Sequence, residues 1–183
     1  NDNIINKKIA KLKKINSFTP KFKIKNTLKD IVLEGGAIDV NGKGCLMTTK
    51  ECLLSKIQQR NPSIRKNEME NIFRKYLGIK KTIWLNKGIV GDDTHGHIDD
   101  IARFVSSNQI FLAYEKNKKD KNFKALKENY KILNQTTDEN GKKFEIIKIP
   151  MPKPIYINNI RVPASYLNFY IANKIVLIPI FKD

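Results

Sequence analysis

The run Asp92-Asp93-Thr94-His95-Gly96-His97-Ile98-Asp99-Asp100 leads into Ile101-Ala102-Arg103-Phe104-Val105, a turn at Ser106-Ser107-Asn108-Gln109, and Ile110-Phe111-Leu112-Ala113-Tyr114. Two short apolar runs around a polar tetrapeptide read as paired strands. Phe123 to Leu133 follows with Phe123, Leu126, Tyr130 and Leu133 on one helical face. Phe144 to Ile149 then returns to a strand pattern. The order is strand–strand–helix–strand.

The same order precedes it. Ile31 to Leu33 and Ala37 to Val40 read as strand, Asn41-Gly42-Lys43-Gly44 as a hairpin signal, and Cys45 to Thr49 as the returning strand. Lys66 to Leu77 is a helix with Met69, Ile72, Phe73, Tyr76 and Leu77 on one side, stopped by Gly78, and Thr82 to Leu85 is a strand. A third unit begins with Tyr166 to Ile171, turns at Ala172-Asn173-Lys174 and continues through Ile175 to Ile180. Ahead of all this, Asn3 to Ile15 has helical spacing. The repeat, with a period of about 65–70 residues, predicts an α/β fold of radial or stacked units. These are partial repeats of one domain over residues 1–183, divided at about 29–90, 91–150 and 151–183.

Composition narrows the function classes. No run reaches the ~18 apolar residues of a membrane span. The 183 residues do not begin with Met or with a signal pattern, and they stop just after an apolar run, so a piece of a longer protein is expected. The net charge of +17 comes from 35 Lys and Arg against 18 Asp and Glu. Arg occurs only at 60, 65, 74, 103 and 161. A Lys-rich surface without interleaved aromatics reads as solvated rather than as a nucleic-acid interface. Cys45 and Cys52 form neither a C-x-x-C pair nor a disulfide framework, which suits a reducing cytoplasm.

Each unit carries polar residues where its first hairpin begins: Glu34-Gly35-Gly36, His95-Gly96-His97-Ile98-Asp99, and Ser165-Tyr166-Leu167-Asn168. In a radial arrangement these converge on one cleft. If Gly96 to Asp99 enters a strand, His97 and Asp99 share a face. Two carboxylates, Glu34 and Asp99, suit a planar guanidinium, and His97 can move a proton beside them. Asp92, Asp93 and Asp100 read as solvated loop residues or strand caps. A metal set built on His95, His97 and a nearby Asp lacks further ligands for a familiar zinc site. Cys45 and Cys52 read as buried structural residues.

The runs Leu33-Glu34-Gly35-Gly36, Gly42-Lys43-Gly44-Cys45-Leu46-Met47-Thr48-Thr49-Lys50-Glu51-Cys52-Leu53-Leu54, Arg60-Asn61-Pro62, Tyr76-Leu77-Gly78, Ile83-Trp84-Leu85, Asp93-Thr94-His95-Gly96-His97-Ile98-Asp99 and Ala164-Ser165-Tyr166-Leu167-Asn168-Phe169 resemble the agmatine deiminases. These form the bacterial peptidyl-arginine-deiminase-like branch of the guanidine-modifying (pentein) superfamily. The resemblance runs from about residue 30 to the C-terminus in order. It implies a five-bladed α/β propeller, with about three blades in this chain. It also implies hydrolysis of agmatine to N-carbamoylputrescine and ammonia, a step of polyamine biosynthesis, without metal or organic cofactor.

By the same resemblance His97 is the general acid/base, Glu34 orients His97 and contacts the guanidinium, and Asp99 holds the guanidinium nitrogens. The family's nucleophilic Cys and a further N-terminal Asp have no match here, so the 183 residues are expected to be inactive alone. The implied partner is the small molecule agmatine, without nucleic acid or membrane, in a chain open to pairing as a homodimer. The competing readings are a non-catalytic propeller serving as an interaction protein and a basic nucleic-acid-binding module.

Overall fold

The computed structural model describes Lys8 and residues 11–13, 21–24 and 27–181. The chain divides into two compact units, Asn1–Val32 and Leu33–Asp183. In the first, β1 (Lys21–Ile24) and β2 (Thr27–Asp30) pair antiparallel, from Lys21 opposite Asp30 to Ile24 opposite Thr27. The expected helix Asn3 to Ile15 lies outside the described residues, apart from Lys8 and residues 11–13, which are helical.

The second unit holds the repeat. Its first copy is β3 (Asp39–Val40), β4 (Cys45–Thr49), a short helix α1 (Lys50–Leu54), helix α2 (Lys66–Leu77) and β5 (Lys81–Leu85). β3 pairs antiparallel with β4, and β4 pairs parallel with β5. A parallel neighbour requires a long crossover, and α2 supplies it. The second copy repeats this with β6 (Ala102–Phe104), β7 (Gln109–Tyr114), α3 (Phe123–Gln135) and β8 (Glu145–Pro150). Here β6–β7 is antiparallel and β7–β8 parallel. Two hairpins follow, β9 (Ile155–Ile157) with β10 (Ile160–Val162), and β11 (Tyr170–Ala172) with β12 (Ile175–Leu177). The architecture is mixed α/β, and none of the sheets among the described residues is closed.

All five residues of β4 are buried, with the Thr48 and Thr49 hydroxyls donating to the carbonyls of Ala37 and Gly96. A strand covered on both faces needs no alternation. Leu46 joins Met69 and Phe73 of α2, Trp84 of β5, and Cys52 and Leu53 of α1. Cys45 and Met47 join the core shared with Ile98, Ile110, Leu112 and Leu126 of the second copy. Each fully buried Leu or Phe contributes about 1.5–3 kcal/mol. α2 ends where Gly78 takes φ +68°, a left-handed cap that a side chain disfavours.

An arginine links three segments. Arg103 of β6 bonds Asp39 of β3 at 3.1 Å, donates to the carbonyls of Leu167 and Phe169, and lies 4.7 Å from the Phe169 ring centroid. Asp39 also accepts from Phe104 N at 2.6 Å. Burial nevertheless raises the Asp39 carboxyl above its ordinary value, against the opposing pull of those donors.

Two expectations are corrected. Residues 31–33 form no strand, and Gly35–Ala37 is a 3-10 turn, which leaves only Asp39–Val40 as strand. Tyr166 to Phe169 do not begin the third hairpin, because Ser165 and Asn168 turn the chain there and β11 starts at Tyr170.

Candidate active site

The segment Asp92 to Asp100 is built around one carboxylate. Asp92 accepts from the backbone N–H groups of Thr94 at 2.8 Å, Gly96 at 2.7 Å and His97 at 3.2 Å, and from the Thr94 hydroxyl. A side chain that captures backbone donors locally takes them away from a strand ladder. His95 accordingly adopts φ +61° and Gly96 φ +90°, and Ile98–Asp100 is a 3-10 turn. The expectation that His97 and Asp99 share a strand face is therefore wrong in its geometry. The turn still places His97 Nδ1 4.0 Å from Asp99 Oδ1.

His95 turns away. Its Nε2 lies 3.3 Å from Ser55 Oγ, so it does not join His97 in a metal set. Asp100 is also corrected: it is buried, its Oδ1 accepts from Asn168 Nδ2 at 3.0 Å, and its carbonyl accepts from Ser165 Oγ. Burial pushes the Asp100 carboxyl up to about 6, despite the hydrogen bond from Asn168.

Glu34 precedes the 3-10 turn Gly35–Ala37 in extended conformation, and its carboxylate meets the imidazole. His97 Nε2 lies 2.7 Å from Glu34 Oε2. Arg60 Nε donates to both carboxylate oxygens, at 3.2 and 3.0 Å, while its guanidinium also reaches the carbonyls of Gln58 and Thr94. Burial raises the Glu34 carboxyl, but the hydrogen bonds from His97 and Arg60 outweigh it and leave the group below its ordinary value. An ionised Glu34 accepts, so Nε2 is the ring nitrogen that donates, and Nδ1 is left facing Asp99.

Gly36 shapes that side. A Cβ there would stand 2.5 Å from His97 Nδ1 and 2.6 Å from Asp99 Oδ2. Asp99 Oδ1 is buried and has no hydrogen-bond partner among the described residues. Desolvation raises the Asp99 carboxyl, opposed by the charges of His97 and Arg103. A cleft of about 250 Å³, lined by Gly35, Gly36, Asp39, Asp99, Arg103 and Asn168 among others, opens beside it. A buried carboxylate oxygen without a donor is costly unless a ligand supplies one.

This packing sets the expected effect of small changes. Gly36→Ala keeps an allowed backbone but drives a methyl between His97 and Asp99, and displacements near 1 Å at reacting groups cost about 10²-fold in rate. Steady-state kinetics of the full-length protein should show that loss. Gly35→Ala, with nothing within 4 Å of the added carbon, should not. Stability should also depend on pH. Asp100 binds a proton more tightly folded than unfolded, so stability is lost as pH rises from the ordinary carboxylate range through about 6. That shift corresponds to about 3 kcal/mol. Thermal melts from pH 7 to 5 should show a rise in Tm that Asp100→Asn diminishes.

The cysteines are buried, as expected. Burial pushes the Cys45 thiol up to about 12 and the Cys52 thiol up to about 11, so both are protonated at neutral pH. Sequence reasoning did not place Cys52 at the site, yet one ligand atom each from Glu34, Cys52 and His97 lie within 4.8 Å of one another. It also missed Arg60 and Arg103. Among the described residues no helix is long and apolar enough to cross a membrane.

An imidazole set between two carboxylates, on a twice-repeated strand–strand–helix–strand frame, is a pocket suited to a planar cation. The chain belongs to the Porphyromonas-type peptidyl-arginine deiminase family, whose sequence profile matches residues 1–183. It is 37% identical over 201 residues to an agmatine deiminase of Medicago truncatula, covering 100% of this chain and 51% of that protein. Among solved structures, a cysteine-to-serine variant of an agmatine deiminase from C. jejuni with substrate bound is 34% identical, with a TM-score of 0.80. That match covers 100% of this chain and 50% of the other. An agmatine deiminase of Enterococcus faecalis matches at 29% identity and a TM-score of 0.83, over 100% of this chain and 52% of that one. The chain thus spans about half the length of the relatives it matches.

Proposed function

We propose that this chain supplies the acid/base and guanidinium-binding half of an enzyme that hydrolyses agmatine to N-carbamoylputrescine and ammonia. The observation that carries the reading is the buried Asp99 Oδ1, 4.0 Å from His97 Nδ1 and without a hydrogen-bond partner among the described residues. A guanidinium presents N–H donors in a planar fork and satisfies such an oxygen. The agmatine deiminases among its relatives support the choice of agmatine.

Glu34 holds the Nε2 proton and so keeps Nδ1 as the atom that exchanges protons. With one carboxylate oxygen bound by both His97 and Arg60, Glu34 acts first as the orienting group, and its contact with the guanidinium is made through remaining lone pairs. His97 Nδ1 takes the proton of the attacking cysteine thiol as sulfur bonds the guanidinium carbon, and gives it to the departing nitrogen, which leaves as ammonia. Nδ1 then takes a proton from the water that attacks the same carbon and returns it to the sulfur as the carbon–sulfur bond breaks. The nucleophile is a cysteine outside this chain. The two protonated thiols here do not serve, and the substrate-bound relative carrying a cysteine-to-serine change fits that assignment. The two repeats are successive blades of a propeller whose ring is completed by the remaining half of the protein.

The test is to incubate the full-length protein with agmatine and quantify both products. Equimolar N-carbamoylputrescine and ammonia are expected. Product-free incubation, with the protein folded, contradicts the reading and leaves an interaction protein as the alternative.

A further inference from the structure

We propose that Glu34, Cys52 and His97 form an inhibitory site for zinc, distinct from any cofactor role. The claim that zinc inhibits rests on the agmatine-hydrolysing reading above; the claim that it binds does not. The three residues come from different elements: the residue before the first 3-10 turn, helix α1 and the loop before the second turn. Carboxylate, thiolate and imidazole are all zinc ligands, and three protein ligands leave a fourth position for water.

The geometry needs only side-chain adjustment. Zinc–ligand lengths of about 2.0–2.3 Å put tetrahedral ligand atoms roughly 3.3–3.8 Å apart. The Glu34–His97 pair, at 2.7 Å, opens slightly, and atoms up to 4.8 Å apart draw in. Arg60 is the nearest competing cation, and it need not be stranded. Its guanidinium also bonds the carbonyls of Gln58 and Thr94, and Glu34 Oε1 still accepts from it while Oε2 turns to the metal. The Glu34 side chain is 39% exposed, which gives an ion a path in.

Binding moves the imidazole proton from Nε2 to Nδ1, on the side of Asp99, puts the metal between Nε2 and Glu34, and releases the Cys52 thiol proton to solvent. No electron is transferred. Affinity therefore rises with pH. With Nε2 and Oε2 on zinc, the relay that fixes His97 is gone, so hydrolysis stops until a chelator removes the ion.

The probe is cadmium, whose thiolate complexes absorb in the ultraviolet. Full-length protein stripped of metal is titrated with Cd²⁺, with Zn²⁺ as competitor, and Zn²⁺ inhibition of hydrolysis is measured in parallel. A saturable thiolate–cadmium band that Zn²⁺ displaces is expected. Cys52→Ser should remove that contribution and weaken Zn²⁺ inhibition by more than the ~10–100-fold that partners one shell further out supply. Cys52→Ala guards against a misfolded serine variant, and circular dichroism checks both. An unchanged band and inhibition in both variants overturn the site by placing the metal on another cysteine. A wild-type protein without the band overturns it as well. A Cys52-dependent band in a protein inactive toward agmatine upholds binding and removes the functional reading. Activity with a Cys52-independent band does the reverse.

Discussion

His97→Ala in the full-length protein is expected to lower kcat for agmatine by about 10²–10⁴-fold, the range that positioned acid/base groups supply. The fold should survive, because the loop is held elsewhere. Asp92 binds the backbone of Thr94, Gly96 and His97, and Thr49 Oγ donates to the Gly96 carbonyl at 2.6 Å. KM should change less than kcat, since Asp99, the proposed guanidinium ligand, remains. An unaltered kcat, read from N-carbamoylputrescine formation under saturating substrate, removes His97 from the proton path. His95→Ala is the control, because that ring contacts Ser55 instead of the carboxylate pair.

Asp99→Asn should move stability and function in opposite directions. The aspartate is penalised by desolvation, and its buried Oδ1 finds no donor among the described residues. Asparagine has the same shape without the charge, so it fits beside Gly36. The substitution removes the charge that burial penalises, so chemical denaturation should show stabilisation. Each charge-assisted hydrogen bond lost to the guanidinium costs about 1.5–3 kcal/mol, or one to two orders of magnitude in kcat/KM. A variant destabilised and fully active shows that Asp99 is scaffold. The opposed signature arises only where a residue is kept for its ligand against the interest of the fold.

The repeat was legible because its signals are strong and local. The α2 and α3 faces recur at helical spacing, and Gly78 marks a stop that the φ of +68° realises. The strand β7 stands out as an apolar run, with Ile110, Leu112 and Ala113 buried and Phe111 partly so. The grouping of Glu34, His97 and Asp99 was legible, but not its geometry. His97 and Asp99 were expected on a strand, whereas the competition of Asp92 for backbone donors winds the segment into a turn. Glu34 meets His97 63 positions away in sequence, a juxtaposition that the repeat phase foreshadows.

Arg60, Arg103 and Cys52 were not foreseen, because tertiary packing alone brings them in. A signal existed nonetheless. In a chain that otherwise uses Lys, an Arg marks a place where a planar fork is needed. Arg103 with Asp39 and Arg161 with Asp120 are largely buried pairs, and Arg60 is itself largely buried where it meets Glu34. Arg65, by contrast, pairs with Glu68 on the exposed start of α2.

The central claim is that Asp99 Oδ1 awaits a guanidinium. A crystal structure of the full-length protein with agmatine bound tests it most directly, using His97→Ala to slow turnover. Guanidinium nitrogens are expected at hydrogen-bond distance, about 2.7–3.0 Å, from the Asp99 carboxylate. The guanidinium carbon should lie beside the space above Gly36. Agmatine bound elsewhere, with Asp99 Oδ1 still lacking a donor, contradicts the claim.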